Sequence, residues 1–101
     1  MYLHPFSKIE YYATQQLRNV AEENLNFHKD VQSSIQRFEK EDWGIMPDED
    51  KKANEEALVN GDRIIARYNT SKGDIYIIAD TVLKPNDPYY EHATILFCNE
   101  Y

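Results

Sequence analysis

GDRIIARYNTSKGDIYIIAD, Gly61 to Asp80, decides the fold. Apolar residues recur there at every second position on both sides of NTSKG, a five-residue connection carrying Asn and Gly. That alternation is the period of a β-strand, and two such runs joined by a short turn-forming segment predict a β-hairpin. Ile64, Ala66 and Tyr68 share one face of the first strand, as Ile75, Ile77 and Ala79 do on the second. Arg63, Ile65 and Arg67 beside Tyr76 and Ile78 form an amphipathic opposite face, fit either for solvent or for a partner.

Beyond the hairpin, the polar, Pro-containing stretch KPNDPYYEH precedes ATILFCN, which predicts a third strand. Before it the period is helical. Pro47 suits a helix start, Asp48, Glu49 and Asp50 occupy the first turn where they complement the helix dipole, and Asn60-Gly61 supplies the stop near Val59. From Gln15 to Lys40, Leu17, Val20, Ala21, Leu25, Val31, Ile35 and Phe38 recur every three or four residues, and Asn24 and Asn26 mark a break between two helices. KIEYYAT, Lys8 to Thr14, fits a short strand or a continuation of helix equally well. These elements predict one α+β domain over residues 1–101: N-terminal helices followed by a three-stranded antiparallel sheet, with the helices packed on one sheet face.

The chain has 101 residues, 42% of them hydrophobic and eight of them Tyr, a composition that supports a folded core. It lacks an apolar run of membrane-spanning length and a signal-peptide start, which predicts a cytoplasmic protein with no membrane partner. A single cysteine, Cys98, agrees with a reducing compartment. Eleven basic and eighteen acidic residues leave a net charge of -7, which opposes direct binding to a phosphate backbone. Most of that charge is local. Glu39 to Glu56 holds eight acids and three lysines, and although helix chemistry accounts for the acids beyond Pro47, Glu39, Glu41 and Asp42 lack such a local reason. They read either as a solvated helix end or as an acidic docking surface. Between the acidic runs, Trp43-Gly44 reads as a corner plug with Gly44 at positive φ, or as an interface anchor.

Residues for chemistry are sparse. Cys98 with His92 or His28 has the types of a thiol nucleophile and its base, but Cys98 belongs to an apolar run where cysteine is usually a small buried hydrophobe. His28, His92 and Cys98, with His4, are the zinc-ligand types present, and none stands at the short spacing of structural zinc sites. Without HExxH, CxxC, GxSxG or a phosphate loop, no enzyme activity and no cofactor is expected. Tyr89 and Tyr90, in the loop stiffened by Pro85 and Pro88, form either a two-ring binding tip or one inward and one outward ring.

The order F-x4-WG, DEDKKANEEAL, GDRIIARY, GDIYIIAD and TILFCNEY, with Asp42, Trp43, Gly44, Asp50, Lys51, Asn54, Gly61, Arg63 and the terminal Glu100-Tyr101 as landmarks, resembles a family of small proteins. These are carried on plasmids, phages and other mobile elements of Gram-positive bacteria. The resemblance covers about the last two-thirds of the chain, from Phe38 onward, and departs from the family pattern at KPNDPYYEH, which stands as an insertion. It carries no catalytic assignment. A small, acidic, Tyr-rich protein of such an element looks like an anti-defence inhibitor, such as an anti-CRISPR protein. That role implies direct binding to a Cas9-type nuclease effector through Glu39, Glu41, Asp42, Tyr89 and Tyr90; an accessory interaction module of a plasmid or phage is the alternative.

Overall fold

The computed structural model describes residues 4–82 and 89–101. Its elements are β1 (Glu10–Ala13), α1 (Gln15–Glu23), α2 (Leu25–Glu39), α3 (Asp48–Asn60), β2 (Ile64–Tyr68), β3 (Ile75–Ala79) and β4 (His92–Phe97), with a short 3-10 turn at Cys98–Glu100. The fold is α+β, as the change of period predicts. The sheet, however, has four strands in the order β1-β4-β3-β2 and is mixed. β2, β3 and β4 form the expected antiparallel meander. The ambiguous Lys8–Thr14 segment supplies the extra strand, which pairs with β4 in parallel, Tyr11 opposite Ala93 and Ala13 opposite Ile95.

Register places one row of side chains across all four strands. Tyr11 and Ala13, Ala93, Ile95 and Phe97, Ile75, Ile77 and Ala79, and Ile64, Ala66 and Tyr68 share the face turned to the helices. The last nine of these are buried, whereas Tyr11 and Ala13 are only partly covered. On the other face Tyr101 meets the Tyr76 ring edge-on, the Arg63 guanidinium lies over Tyr101, and Ile78 and Leu96 are buried beside them.

The helix boundaries follow from capping. Thr14 accepts a hydrogen bond from the Leu17 N–H and starts α1. Asn24 is at once the end of α1 and the N-cap of α2, its side-chain oxygen accepting from the Phe27 N–H at 2.9 Å. Pro47 stands one position earlier than expected, at the cap of α3. Gly61 ends that helix at φ 76° and receives no Cβ penalty there.

The two edges of the sheet differ. Along β2, every second residue turns its backbone outward, and each is met: Asn54 of α3 donates to the Ile65 carbonyl at 2.8 Å and accepts from the Ile65 N–H at 3.3 Å. Next along, the Arg67 N–H donates to the Trp43 carbonyl and the Ile45 N–H donates to the Arg67 carbonyl. Along β1, Glu10 and Thr14 donate to Glu91 and Ile95 of the β4 side. The parallel ladder therefore turns the backbone of Tyr11 and Ala13 away from the sheet, where no partner stands among the described residues.

Candidate interaction surface

The connection from α2 to α3 carries the three carboxylates that the sequence singles out. α2 ends in a two-bond cap: the Glu41 N–H donates to the Phe38 carbonyl, and the Asp42 N–H donates to the Arg37 carbonyl at 2.9 Å. This is the hydrogen-bond pattern of a Schellman motif, which puts the residue after the cap in the left-handed region and usually employs glycine there. Here the residue is Glu41, at φ 64°, the one non-glycine residue at positive φ among those described. A β-carbon in that region costs on the order of 1 kcal/mol.

The chain beyond is pinned from several sides. Trp43 is 3% exposed, which settles its reading as a core plug. Its ring stands edge-on to Phe38 and Phe6, and its indole N–H donates to Glu55 of α3 at 3.1 Å. Gly44, at φ 74°, lies so close to β2 that a Cβ would come within 1.9 Å of the Arg67 carbonyl oxygen. The buried Tyr68 hydroxyl donates to the Asp42 carbonyl at 2.7 Å. Burial, and secondarily the Asp42 charge, raises the Tyr68 phenol well above its ordinary pKa, so it stays a donor.

On this fixed backbone each carboxylate has local partners. Asp42 receives two hydrogen bonds from the Arg37 guanidinium, at 2.8 and 3.2 Å, and one from the Gly44 N–H. The Arg37 bonds hold the Asp42 carboxyl below the usual carboxylate range, against a smaller opposing effect of burial. Glu41 lies 2.9 Å from the His4 ring nitrogen. Glu39 accepts from the Tyr11 hydroxyl at 3.0 Å. Burial first, and then the nearby Glu39 charge, raises the Tyr11 phenol. Glu39 and Asp42 are exposed and Glu41 is half-exposed, so the three remain reachable from solvent.

The two tyrosines part company. Tyr90 is fully buried, its hydroxyl 2.8 Å from the Ala57 carbonyl and 2.7 Å from the Asp62 carbonyl, and its pKa is pushed up to about 12, chiefly by burial. Its ring also contacts Phe6. Tyr90 is thus a core residue, and a two-ring tip is not what this segment builds. Tyr89 is half-exposed with the Lys8 ammonium 4.3 Å from its ring centre. The stiffening role assigned to Pro85 and Pro88 falls outside the described residues.

His92 and Cys98 sit at opposite ends of β4 and its following turn, roughly 20 Å apart at the rise of an extended strand. His28 lies near the start of α2. The three are not brought together, and among the described residues no three His, Cys, Asp or Glu side chains gather as metal ligands. Burial raises the Cys98 thiol pKa, with the Arg67 charge opposing, which disfavours the thiolate. No described helix is long and apolar enough to cross a membrane.

Sequence reasoning located the acids but missed what holds them. The left-handed Glu41 had no signal, because glutamate is not a residue that announces that conformation. No protein-family model, curated protein or solved structure matches the chain.

Proposed function

We propose that the protein acts by contact rather than by chemistry, as an inhibitor that binds a Cas9-type nuclease effector directly through the acidic connection between α2 and α3. The observation that carries this reading is the backbone there: Glu39, Glu41 and Asp42 project from a segment locked by the α2 cap, by Trp43 and by the bridge to β2. Carboxylates held in place before binding lose little conformational freedom when a cationic surface meets them. Left-handed Glu41 adds to the argument, since a glycine would satisfy the same cap without strain but would carry no charge. Effectors of this type hold a nucleic-acid heteroduplex in a positively charged channel, a surface complementary to such acids. The resemblance to mobile-element proteins supports the same partner class, and of the two tyrosines nominated as anchors Tyr89 is the one left to consider, Tyr90 being in the core.

The test is a DNA-cleavage reaction with effector preassembled on guide RNA, titrated with the protein before and after target DNA is added. Cleavage should fall at near-equimolar protein when it is added first. The Glu39→Gln, Glu41→Gln double variant should associate more slowly and with a flatter salt dependence, because rim charges act mainly on the encounter rate. Absence of inhibition at large molar excess, across effectors from several Gram-positive hosts, overturns the proposal and leaves the accessory interaction module.

A further inference from the structure

The outward backbone of β1 adjoins an apolar groove. Between α1 and α2 runs an open cleft of about 800 Å³, within the rough 300–1,000 Å³ range of ligand-binding clefts. Its floor is Ala13 of β1 and Ile95 of β4, and its walls are Leu17 and Ala21 of α1 and Val31 and Ile35 of α2. Leu17, Val31 and Ile95 are themselves buried, so the cleft opens at the partly exposed Ala13, Ala21 and Ile35, next to the β1 edge whose outward backbone has no partner among the described residues. Leu25, at the rim, is 66% exposed, and Tyr12, on the opposite face of β1, is 51% exposed.

An open edge offers alternating N–H and C=O groups, and a groove beside it offers a place for side chains of one face; an extended peptide uses both at once. Charge narrows the occupant further. Glu22 and Glu23 line the groove, Glu10 lies on β1 and Glu39 bonds Tyr11, against Arg18 and His28 in the same lining. We infer that the β1 edge and this groove form a docking site for an extended segment of another protein, one that alternates apolar and polar residues and carries lysine or arginine. The segment pairs its backbone with Tyr11 and Ala13 and places one or two apolar side chains between α1 and α2. A second copy of this chain is the poorer occupant, because each copy brings a net charge of -7 and the same glutamates to the contact. The site goes beyond the proposed inhibitor role and does not depend on it: it specifies the shape and charge of a bound segment whatever protein supplies it.

A phage-displayed library of random decapeptides, selected on the intact protein, tests this directly. Enriched sequences should alternate apolar residues and contain Lys or Arg. A synthetic peptide of the winning sequence should slow hydrogen exchange at the Tyr11 and Ala13 amides while leaving Ile65 and Arg67 unchanged. Ala13→Pro removes only an outward N–H, so it should weaken peptide binding at least tenfold with an unaltered unfolding midpoint. Methylating the peptide amides that face β1 should have the same effect without touching the protein. Failure to enrich such peptides, or equal binding by Ala13→Pro and by the methylated peptide, overturns the site. Slowed exchange at Tyr11 and Ala13 that grows with protein concentration in the absence of peptide also overturns it, by assigning the edge to a second copy.

Discussion

The β2 edge and the β1 edge belong to one sheet and are treated in opposite ways. At β2, the Asn54 side chain and the Trp43–Ile45 backbone stand where a further strand would, so no donor or acceptor is left outward. At β1 the same kind of row is left without a partner among the described residues. An uncovered edge invites pairing with other chains, and proteins usually blunt it. Among the described residues, what blunts β1 is its length of four residues. The chain thus covers one edge with a helix side chain and a loop, and among the described residues leaves the other open beside an apolar groove.

Breaking the covered edge should have the largest effects. Gly44→Ala forces a Cβ against the Arg67 carbonyl at a positive φ and should cost about 4 kcal/mol in denaturant unfolding, because backbone on both sides must move. Trp43→Ala empties a ring packed on Phe6 and Phe38 and should cost about 3 kcal/mol. A small effect in either would mean that the bridge to β2 is dispensable and the contrast between the edges superficial. Asn54→Ala strips Ile65 of both partners and should cost about 2 kcal/mol, a part-buried donor and acceptor being left unmet.

Two smaller effects sharpen the comparison. Glu41→Gly should stabilise the fold by about 1 kcal/mol by relieving the left-handed glutamate; an unchanged or lowered unfolding midpoint would show that the His4 contact offsets the strain. The smallest effect concerns acid. Because the Asp42 carboxyl titrates below its unfolded value, its stabilisation is present above that value, near 3.9, and drains away as pH falls through the folded one. With Arg37 and Asp42 both about half-exposed, the pair is worth under about 1 kcal/mol. Asp42→Asn should flatten the acid limb of the stability curve by no more than that, and a larger loss would mean that the carboxylate, rather than Trp43, pins the connection.

The meander was legible because apolar residues recur at every second position of RIIARY and DIYIIAD on either side of the turn-forming NTSKG, and the helix break could be read from Asn24 and Asn26, although Asn24 alone makes both caps and Asn26 lies inside α2. β1 could not. EYYA has no alternation of apolar and polar residues, and its partner strand lies almost the whole chain away, so no local pattern points to the pairing. The acidic residues were visible as composition, but their fixed geometry comes from Gly44 meeting Arg67 across the tertiary fold. Of the adjacent pair Tyr89-Tyr90, the sequence implied that at most one faces inward, and which one depends on the carbonyls of Ala57 and Asp62 waiting at the end of α3.

The parallel pairing of β1 with β4 also sets an order of events during synthesis. Helices α1 and α2 and the β2–β3 hairpin can form from neighbouring residues as they leave the ribosome, but β1 has nothing to join until His92–Phe97 has emerged and paired with β3. Through most of translation, Tyr11, Tyr12 and the groove floor are consequently exposed together. The same short segment whose outward backbone has no partner among the described residues is the last strand to be placed, so slow docking of β1, visible as a late gain of protection at the Glu10 and Tyr12 amides, is the kinetic signature this topology should leave.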